Sequence, residues 1–567
     1  MYDWTTPTRA WSLRLTQFPS QTNTPGERDF AHFLRTQLLE WPYFQEHPQQ
    51  IQLLQTQRDA FERYAVAALV RGEGPQTVIL TGHYDVVSVE NYGDLSPWAY
   101  DPEALLPRLI ERLQSEATRP QGLSAADALA LEDLLSGNFL PGRGLLDMKS
   151  GLAAGLAVME RFVRLPQAQR RGNLLFVAVP DEEIASYGAR AMAAQLPGLA
   201  QQWGLSLGAA VNLDASDDLG DGSQGQAAYL GSVGKLLPAV FLVGRETHAG
   251  SPFSGVNVNR MGAEVVRRVE CNPIFADEWR GSFTVPPTCL KYADSKMHYD
   301  VTTPTSAWCY FNWLTLKQPV SEVLTRMVGA VGAALMEAIE DLQKAADAYA
   351  ERTERPNDWE LPRPSVYTFE QLKTLAEMNG GREFSARYDR LQQELSADPN
   401  LNTPQVSLRL VEETWAASGL TGPAAVVGFA AIHYPPVILD EGDERARRLQ
   451  QAIETHGTAV SREFQTPFTT HAFFPGISDL SFLGGQVSEE EQFELMLNTP
   501  AWGQRAGFDY SAAAGLALPA VNIGPWGRDY HQRNERLYTP YAFEVLPELL
   551  WRICADLNGY AAEAQPE

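Results

Sequence analysis

The sequence predicts an α/β fold interrupted by a segment of α+β character. Strand-like apolar runs and helical runs succeed one another before Gly231, and three of those strands end in a histidine or an acid. After Gly231 strands and helices group differently, the layout of a separate domain. At 567 residues the chain is too long for one core, so at least two domains are expected.

The elements follow in order. Pro25-Gly26-Glu27 opens a helix predicted over Thr24 to Glu40, with Phe30, Phe33, Leu34 and Leu38 near one face. Strands are predicted at Ala65 to Val70 and Thr77 to Leu80, the second running into Thr81-Gly82-His83. Residues 93 to 140 read as an insertion with one or two helices. The spacing predicts a helix over Met148 to Phe162, a buried strand from Asn173 to Pro180 and another from Ala209 to Leu213. Beyond Gly231, strands are expected at Lys235 to Gly244, Leu290 to Ala293, Ser306 to Leu316 and Ala424 to His433. Helices are expected at Val258 to Val269 and Val320 to Tyr349, with shorter pieces at Phe369 to Glu377 and Ala386 to Glu394 in a polar elaboration, 350 to 410. A helix over Asp440 to Glu463, a short strand within Leu518 to Ile523 and a helix over Pro540 to Asn558 close the chain.

The net charge of −25 opposes nucleic acid and anionic membranes, because both would repel it. Cys271, Cys289, Cys309 and Cys554 are too scattered for a disulfide framework or a thiolate metal site. The N-terminus lacks a secretory pattern and no apolar run approaches the roughly 20 residues of a membrane span, so the cytoplasm is the expected compartment.

Five motifs carry chemistry: His83-Tyr84-Asp85, Asp147, Asp181-Glu182-Glu183, Asp214 and His531. Together they offer two imidazoles and three carboxylates to a pair of metal ions, and leave Asp85 and Glu182 over. Nitrogen and carboxylate oxygen without thiolate suit zinc, or cobalt or manganese, and such sites perform hydrolysis. An isolated His-x-Asp is common on surfaces, but here it ends an apolar strand, where ligands sit in open α/β sheets. One nitrogen of His83 would face a metal while Asp85 holds the other. Asp147 reads either as a helix cap or as a carboxylate bridging two metals at a helix N-terminus. Three adjacent acids after a buried strand repel one another unless solvated or neutralised by cations. In the second case Glu183 is the ligand and Glu182 the acid that takes a proton from water and passes it to the leaving amine. Asp214 competes with Asp217 and Asp218, and its strand-end position favours it. His248, in Glu246-Thr-His248-Ala-Gly250, belongs to the second domain. It could donate to an oxyanion across a cleft or from a partner subunit.

With these residues in hand the chain resembles the dinuclear-zinc metallopeptidases of the aminoacylase and carboxypeptidase G family (metallopeptidase family 20). The likeness runs from Phe18-Pro-Ser20 and Gly26-Glu27 to Gly524-Pro, His531 and Glu535. The length and Cys289-Leu-Lys-Tyr-Ala-Asp294 are most similar to its RocB branch, linked to arginine utilisation. The resemblance implies a zinc-exopeptidase-like catalytic domain made of residues 1–234 and 440–567, a mixed, largely parallel sheet between helices. It implies that 235–439 is an inserted α+β lid through which a homodimer forms. One zinc would be held by His83, Asp147 and Asp214 and the other by Asp147, Glu183 and His531. Asp85 would orient, Glu182 would act as general base, and His248 would reach the neighbouring subunit's site. A cis peptide at Asp147-Met148 is also implied. The expected reaction is hydrolysis of a small peptide or N-acyl amino acid. Alternatives are a metal-bearing protein without hydrolytic activity and a hydrolase with one metal.

Three departures from the family stand out. Where the family often has Gly-Gly-Thr-Asp-Ala-Arg, this chain has Gly476-Ile-Ser478-Asp479-Leu-Ser481, so the arginine that can pair with a substrate carboxylate is missing. Arg528, Arg533 or a lid residue are the candidates to replace it. The insertions at 93–140 and 350–410 have no counterpart in shorter members. Val301-Thr-Thr-Pro304 has threonine where many relatives have asparagine.

Overall fold

Two compact units emerge from the computed structural model, which describes residues 2–218, 220–354, 356, 359–511 and 516–562. One comprises Met1–Ser232, Val437–Gly485 and Ala512–Glu567; the other comprises Val233–Pro436 and Gln486–Ser511.

The first unit is built on an eight-stranded mixed sheet. Its strand order is Ile51–Gln55, Tyr64–Val70, Arg171–Val179, Glu73–His83, Ser206–Asn212, Ala520–Asn522, Ala227–Tyr229, Thr469–His471. Arg171–Val179, Glu73–His83, Ser206–Asn212 and Ala520–Asn522 run parallel to their neighbours among themselves. Their near-continuous apolar runs are what a sheet covered on both faces requires. On one face Val66, Ala68, Val78, Leu80, Leu174 and Phe176 alternate into a core shared with the helices Ser150–Arg164 and Leu546–Asn558. The helix Tyr187–Trp203, which the sequence reading passed over, packs on Ile51–Gln55, Tyr64–Val70 and Arg171–Val179.

The insertion carries the two helices Pro102–Ala117 and Ala125–Leu135, each with a side-chain cap, from Asp101 and from Ser124. It ends in the short strand Phe139–Pro141. The helix expected from Met148 begins at Ser150, because Asp147 and Met148 have non-helical φ and ψ. The Asp147-Met148 peptide bond is cis.

The second unit has its own sheet, in the order Gly234–Leu236, Ser306–Thr315, Pro238–Val243, Ala424–Phe429, Ser365–Thr368, with Thr288–Asp294 pairing Ser306–Thr315. The helices Val258–Val269 and Val320–Thr353 pack together. The two helical pieces expected near 370 and 390 lie within Phe369–Ala397, on either side of a kink where Gly381 leaves helical geometry at φ 54° and ψ −147°. It packs on Thr403–Ser418, a helix not expected from sequence, and Phe384, Tyr388, Val406 and Leu410 close a small core between them. Residues 486–511 sort with this unit. There Glu370 N–H donates to Asn498 Oδ1 at 3.2 Å and Tyr388 Oη donates to the Pro500 carbonyl at 2.8 Å. No helix among the described residues is long and apolar enough to cross a membrane.

Gly151 lets the helix Ser150–Arg164 cross the chain just before Asp214: a Cβ there would lie 2.1 Å from the Leu213 carbonyl oxygen. Gly151→Ala should therefore force the helix off the sheet and cost about 1–3 kcal/mol in urea unfolding. Unchanged stability would show that this approach is not held tightly.

Candidate metal centre

Three neighbouring parallel strands finish at one edge of the first unit's sheet. His83 is the last residue of its strand and lies opposite Val179. Beyond Val179 come Asp181, Glu182 and Glu183. On the other side Thr81 lies opposite Asn212, two residues before Asp214. A short hairpin, Trp526–Arg528 with Arg536–Tyr538, pairs with Phe139–Pro141 and with Ser216–Asp217. This pairing brings the loop of Asp147 and the loop of His531 to the same edge.

Asp147 stands between the two imidazoles. Its Oδ1 is 3.1 Å from His83 Nε2 and its Oδ2 is 3.0 Å from His531 Nε2. His531 Nε2 is also 3.1 Å from Glu183 Oε1, and His83 Nε2 is 3.6 Å from Asp214 Oδ1. Ligand atoms of His83, Asp147 and Glu183 all lie within 4.8 Å of one another, a spacing one cation can span. The structure thus brings together His83, Asp147, Glu183, Asp214 and His531. His248 lies in the second unit.

A further layer holds these groups. The Asp85 carboxylate accepts N–H bonds from Glu182 and Glu183 at 3.1 and 3.3 Å and the Thr22 hydroxyl at 3.0 Å. His83 Nδ1 is nearer the Asp85 carbonyl, 3.1 Å, than its carboxylate, 3.6 Å. Asp181 faces away, to Arg63 Nη1 at 2.7 Å; Arg63 also binds Glu27 at 2.9 Å and Asp59 at 2.8 Å, all of them buried. Glu535 accepts from the Gly144 and Asp147 N–H groups at 2.9 and 3.4 Å and pairs with Arg143. It therefore fixes the backbone that carries Asp147. Lys149 is fully buried and donates to the Phe18 carbonyl at 2.8 Å.

Burial of so many acids has an electrostatic signature. Burial raises the Glu182 carboxyl well above its usual range; His83 opposes this, while Asp214, Asp479 and Glu183 add to it. Burial likewise raises Glu183 and Asp214, against the pull of His531 and His83 respectively. Asp479 is pushed up to about 7, first by burial. On the imidazoles burial acts the other way, yet they too are raised. Burial alone would lower His531, but its bonds to Asp147 and Glu183 carry it up to about 11. Asp147, which burial would raise, is held low by His531 and His83.

That pattern is the test of fit for divalent cations, and the residues pass it. Asp214 and Asp479 are buried and Asp147, Glu182 and Glu183 half-buried, all gathered near two imidazoles, so negative charge is in excess even with both histidines protonated. Buried acids in this state either bind protons or bind metal. The nitrogen and oxygen donors, with no thiolate among them, suit zinc, cobalt or manganese.

Sequence reasoning missed Asp479, Arg63 and the task of Glu535. Asp479 lies in the Gly476 to Ser481 motif, which draws attention for its absent arginine. Arg63 has no local signal at all, since its partners Glu27 and Asp181 are distant along the chain. Neither Arg528 nor Arg533 can stand in for the missing arginine. Arg528 Nη1 is 2.6 Å from both oxygens of Asp133, and Arg533 binds Glu116 and Asp127 at 3.0 and 2.9 Å.

In the second unit the exposed His248 accepts the Gly250 N–H at Nδ1, 2.9 Å away. A neutral imidazole there carries its proton on Nε2. Thr303, from the Val301 to Pro304 motif, accepts the neighbouring Thr247 N–H at 3.0 Å.

Zinc at about 100 times its dissociation constant should raise the unfolding free energy by about 2.7 kcal/mol for each site. Asp147→Ala should cancel most of that gain. Thermal unfolding with zinc and with chelator checks both, and equal stabilisation of the variant would exclude Asp147 as a ligand.

Residues 127–537 match the family described as Peptidase family M20/M25/M40. The chain is 32% identical over 542 residues to "Uncharacterized protein YqjN" of Bacillus subtilis (strain 168), covering 94% of this chain and 93% of that one. It is 29% identical over 550 residues to "Protein RocB" of the same organism, covering 95% and 93%. Its fold is similar to the crystal structure of aminopeptidase PepT from Bacillus cereus, with a TM-score of 0.51, 12% identity and 98% of each chain covered.

Proposed function

The chain belongs to peptidase family M20/M25/M40 and is a metallohydrolase; from that premise we propose that it cleaves the amide bond of a small peptide or N-acyl amino acid at a pair of zinc ions. The observation that carries this reading is Asp147, whose two oxygens each face a different imidazole. His83, Asp147 and Asp214 would hold one ion and Asp147, Glu183 and His531 the other. Bound divalent cations would polarise the amide carbonyl, acidify the attacking water and bring the proton affinity of Glu182 back down.

The chain's own groups do the rest. Glu182, buried beside Asp214 and Glu183, takes the proton of the attacking water and passes it to the leaving nitrogen. The N–H groups of Glu182 and Glu183, tied to Asp85, hold that carboxylate in place. His248, with its proton on Nε2, is the donor assigned to the developing oxyanion, supplied from the second unit of a partner chain. A non-hydrolytic protein would have no use for Glu182.

The dimer is proposed to form through the second unit. Its strand Thr288–Asp294 is bonded only to Ser306–Thr315 among the described strands and is exposed along most of its length. Nearby Phe283, Val285 and Leu290 are each more than half exposed. An edge of that kind pairs with another chain unless something blunts it. Free thiols at Cys271, Cys289, Cys309 and Cys554 suit the reducing cytoplasm. A place in amino-acid catabolism, arginine included, rests on the likeness to Protein RocB.

Glu182→Gln should lower turnover of a responsive dipeptide or acyl-amino acid by about 10²–10⁴-fold with zinc content unchanged. Wild-type turnover in that variant would remove Glu182 from the reaction. Leu290→Lys should shift light-scattering mass from dimer toward monomer; an unchanged mass would rule out this edge as the interface.

A further inference from the structure

The insertion between residues 93 and 140 is tied to the loop that carries His531. That loop has no regular structure of its own between the strands Trp526–Arg528 and Arg536–Tyr538. It also bears two non-glycine residues in the left-handed region, Asp529 at φ 58° and His531 at φ 62°. Such residues persist only where their surroundings hold them. The His531 side chain is 42% exposed, so packing does little to fix it.

What does fix it comes from the insertion and its entry. Asn91 Nδ2 donates to the His531 carbonyl at 2.8 Å, while its Oδ1 accepts from Arg143 Nη2 at 3.0 Å. Asp127, on the helix Ala125–Leu135, accepts from Arg533 Nη2 at 2.9 Å and from Asn534 Nδ2 at 2.7 Å. Asp133, on the same helix, takes Arg528 with both oxygens and Arg536 Nε at 2.8 Å. Arg536 in turn holds Asp529 at 2.5 Å. The contacts thus bracket His531 on both sides along the chain, and one falls on its own carbonyl.

We propose that the Asn91–Asp133 stretch is a positioning clamp: it sets the His531 imidazole against Asp147 and Glu183, and so tunes the affinity of one of the two metal positions and not the other. Asn91, Asp127 and Asp133 are positioning residues; none touches substrate or metal. The inference rests on the metal-site reading above. It gives the insertion a task within the site, one that a shorter chain without it would have to meet by other contacts.

The test is zinc binding by equilibrium dialysis against a metal buffer, on the full chain, with the ion alone as probe. The wild type should take up two ions. Asp127→Ala should weaken one of them by about 10–100-fold, the range seen when a group supporting a metal ligand is lost, and leave the other unchanged. His531→Ala should lose that same ion. Asn534→Ala, which removes one partner of Asp127, should show a smaller shift of the same ion and serves if Asp127→Ala does not fold. Two ions bound at wild-type affinity in both variants would overturn the clamp and leave the metal site standing. Equal weakening of both ions would also overturn it, as a general loss of structure. A wild type that takes up no zinc pair would overturn the metal-site reading, and the clamp with it.

Discussion

Asp147 shared between two imidazoles is the constraint on which the rest of the first unit depends. Its two oxygens must meet His83, from the end of a central strand, and His531, from near the end of the chain. No local sequence preference can arrange that. The sheet sets His83 and Asp214 in register, and the hairpin after Ile523 delivers His531. Asp147 occupies a stretch where helix gives way to extended backbone, which turns its carboxylate inward before the helix Ser150–Arg164 begins.

Concentrating acids this way works against folding, and the surrounding charges show how the chain limits that. Removing one partner of a buried ion pair costs roughly 3–5 kcal/mol, because the other is left uncompensated. Arg63 is placed to quiet Glu27, Asp59 and Asp181 together, so the acid next in sequence to Glu182 is taken out of the cluster. Arg143 does the same for Glu535 at Oε2, while Glu535 Oε1 accepts from the backbone N–H groups of Gly144 and Asp147. Behind the cluster, acids are paired with guanidinium groups. In front of it Glu182, Glu183, Asp214 and Asp479 are not, so negative charge is left in excess there, although burial raises the proton affinity on both sides, Glu27 to about 9 and Glu535 to about 7.

The sequence made the site more legible than the fold around it, for a physical reason. A strand buried on both faces must be apolar throughout, so a histidine or an acid at its end is conspicuous; His83, Asp181 to Glu183 and Asp214 all showed this way. The fold class was legible from the succession of strand-like and helical runs, and the composition of the insertion pointed to one or two helices, of which the structure has two. The helix Tyr187–Trp203 was not, since Gly188, Pro197 and Gly198 dilute its pattern, and Thr403–Ser418 sits in a stretch polar enough to pass for a loop. Phe369–Ala397 was legible as two helical pieces, because Gly381 interrupts the helix between them at φ 54°. Arg63 and Arg143 were invisible for a different reason: a guanidinium paired across the fold leaves no trace in its neighbours along the chain.

The fate of Arg528 and Arg533 joins two of the departures from the family pattern. Both lie close to His531, and by position alone either could have met a substrate carboxylate. Each is instead neutralised by an acid of the insertion, Arg528 by Asp133 and Arg533 by Asp127 and Glu116. A guanidinium with both faces of a carboxylate already on it has little left to offer a ligand, and one that left Asp133 would strand a buried charge. The insertion and the missing arginine are therefore not independent. The charges nearest the site have been committed to holding the His531 loop, and a carboxylate-recognising group, where the substrate needs one, must come from outside this loop.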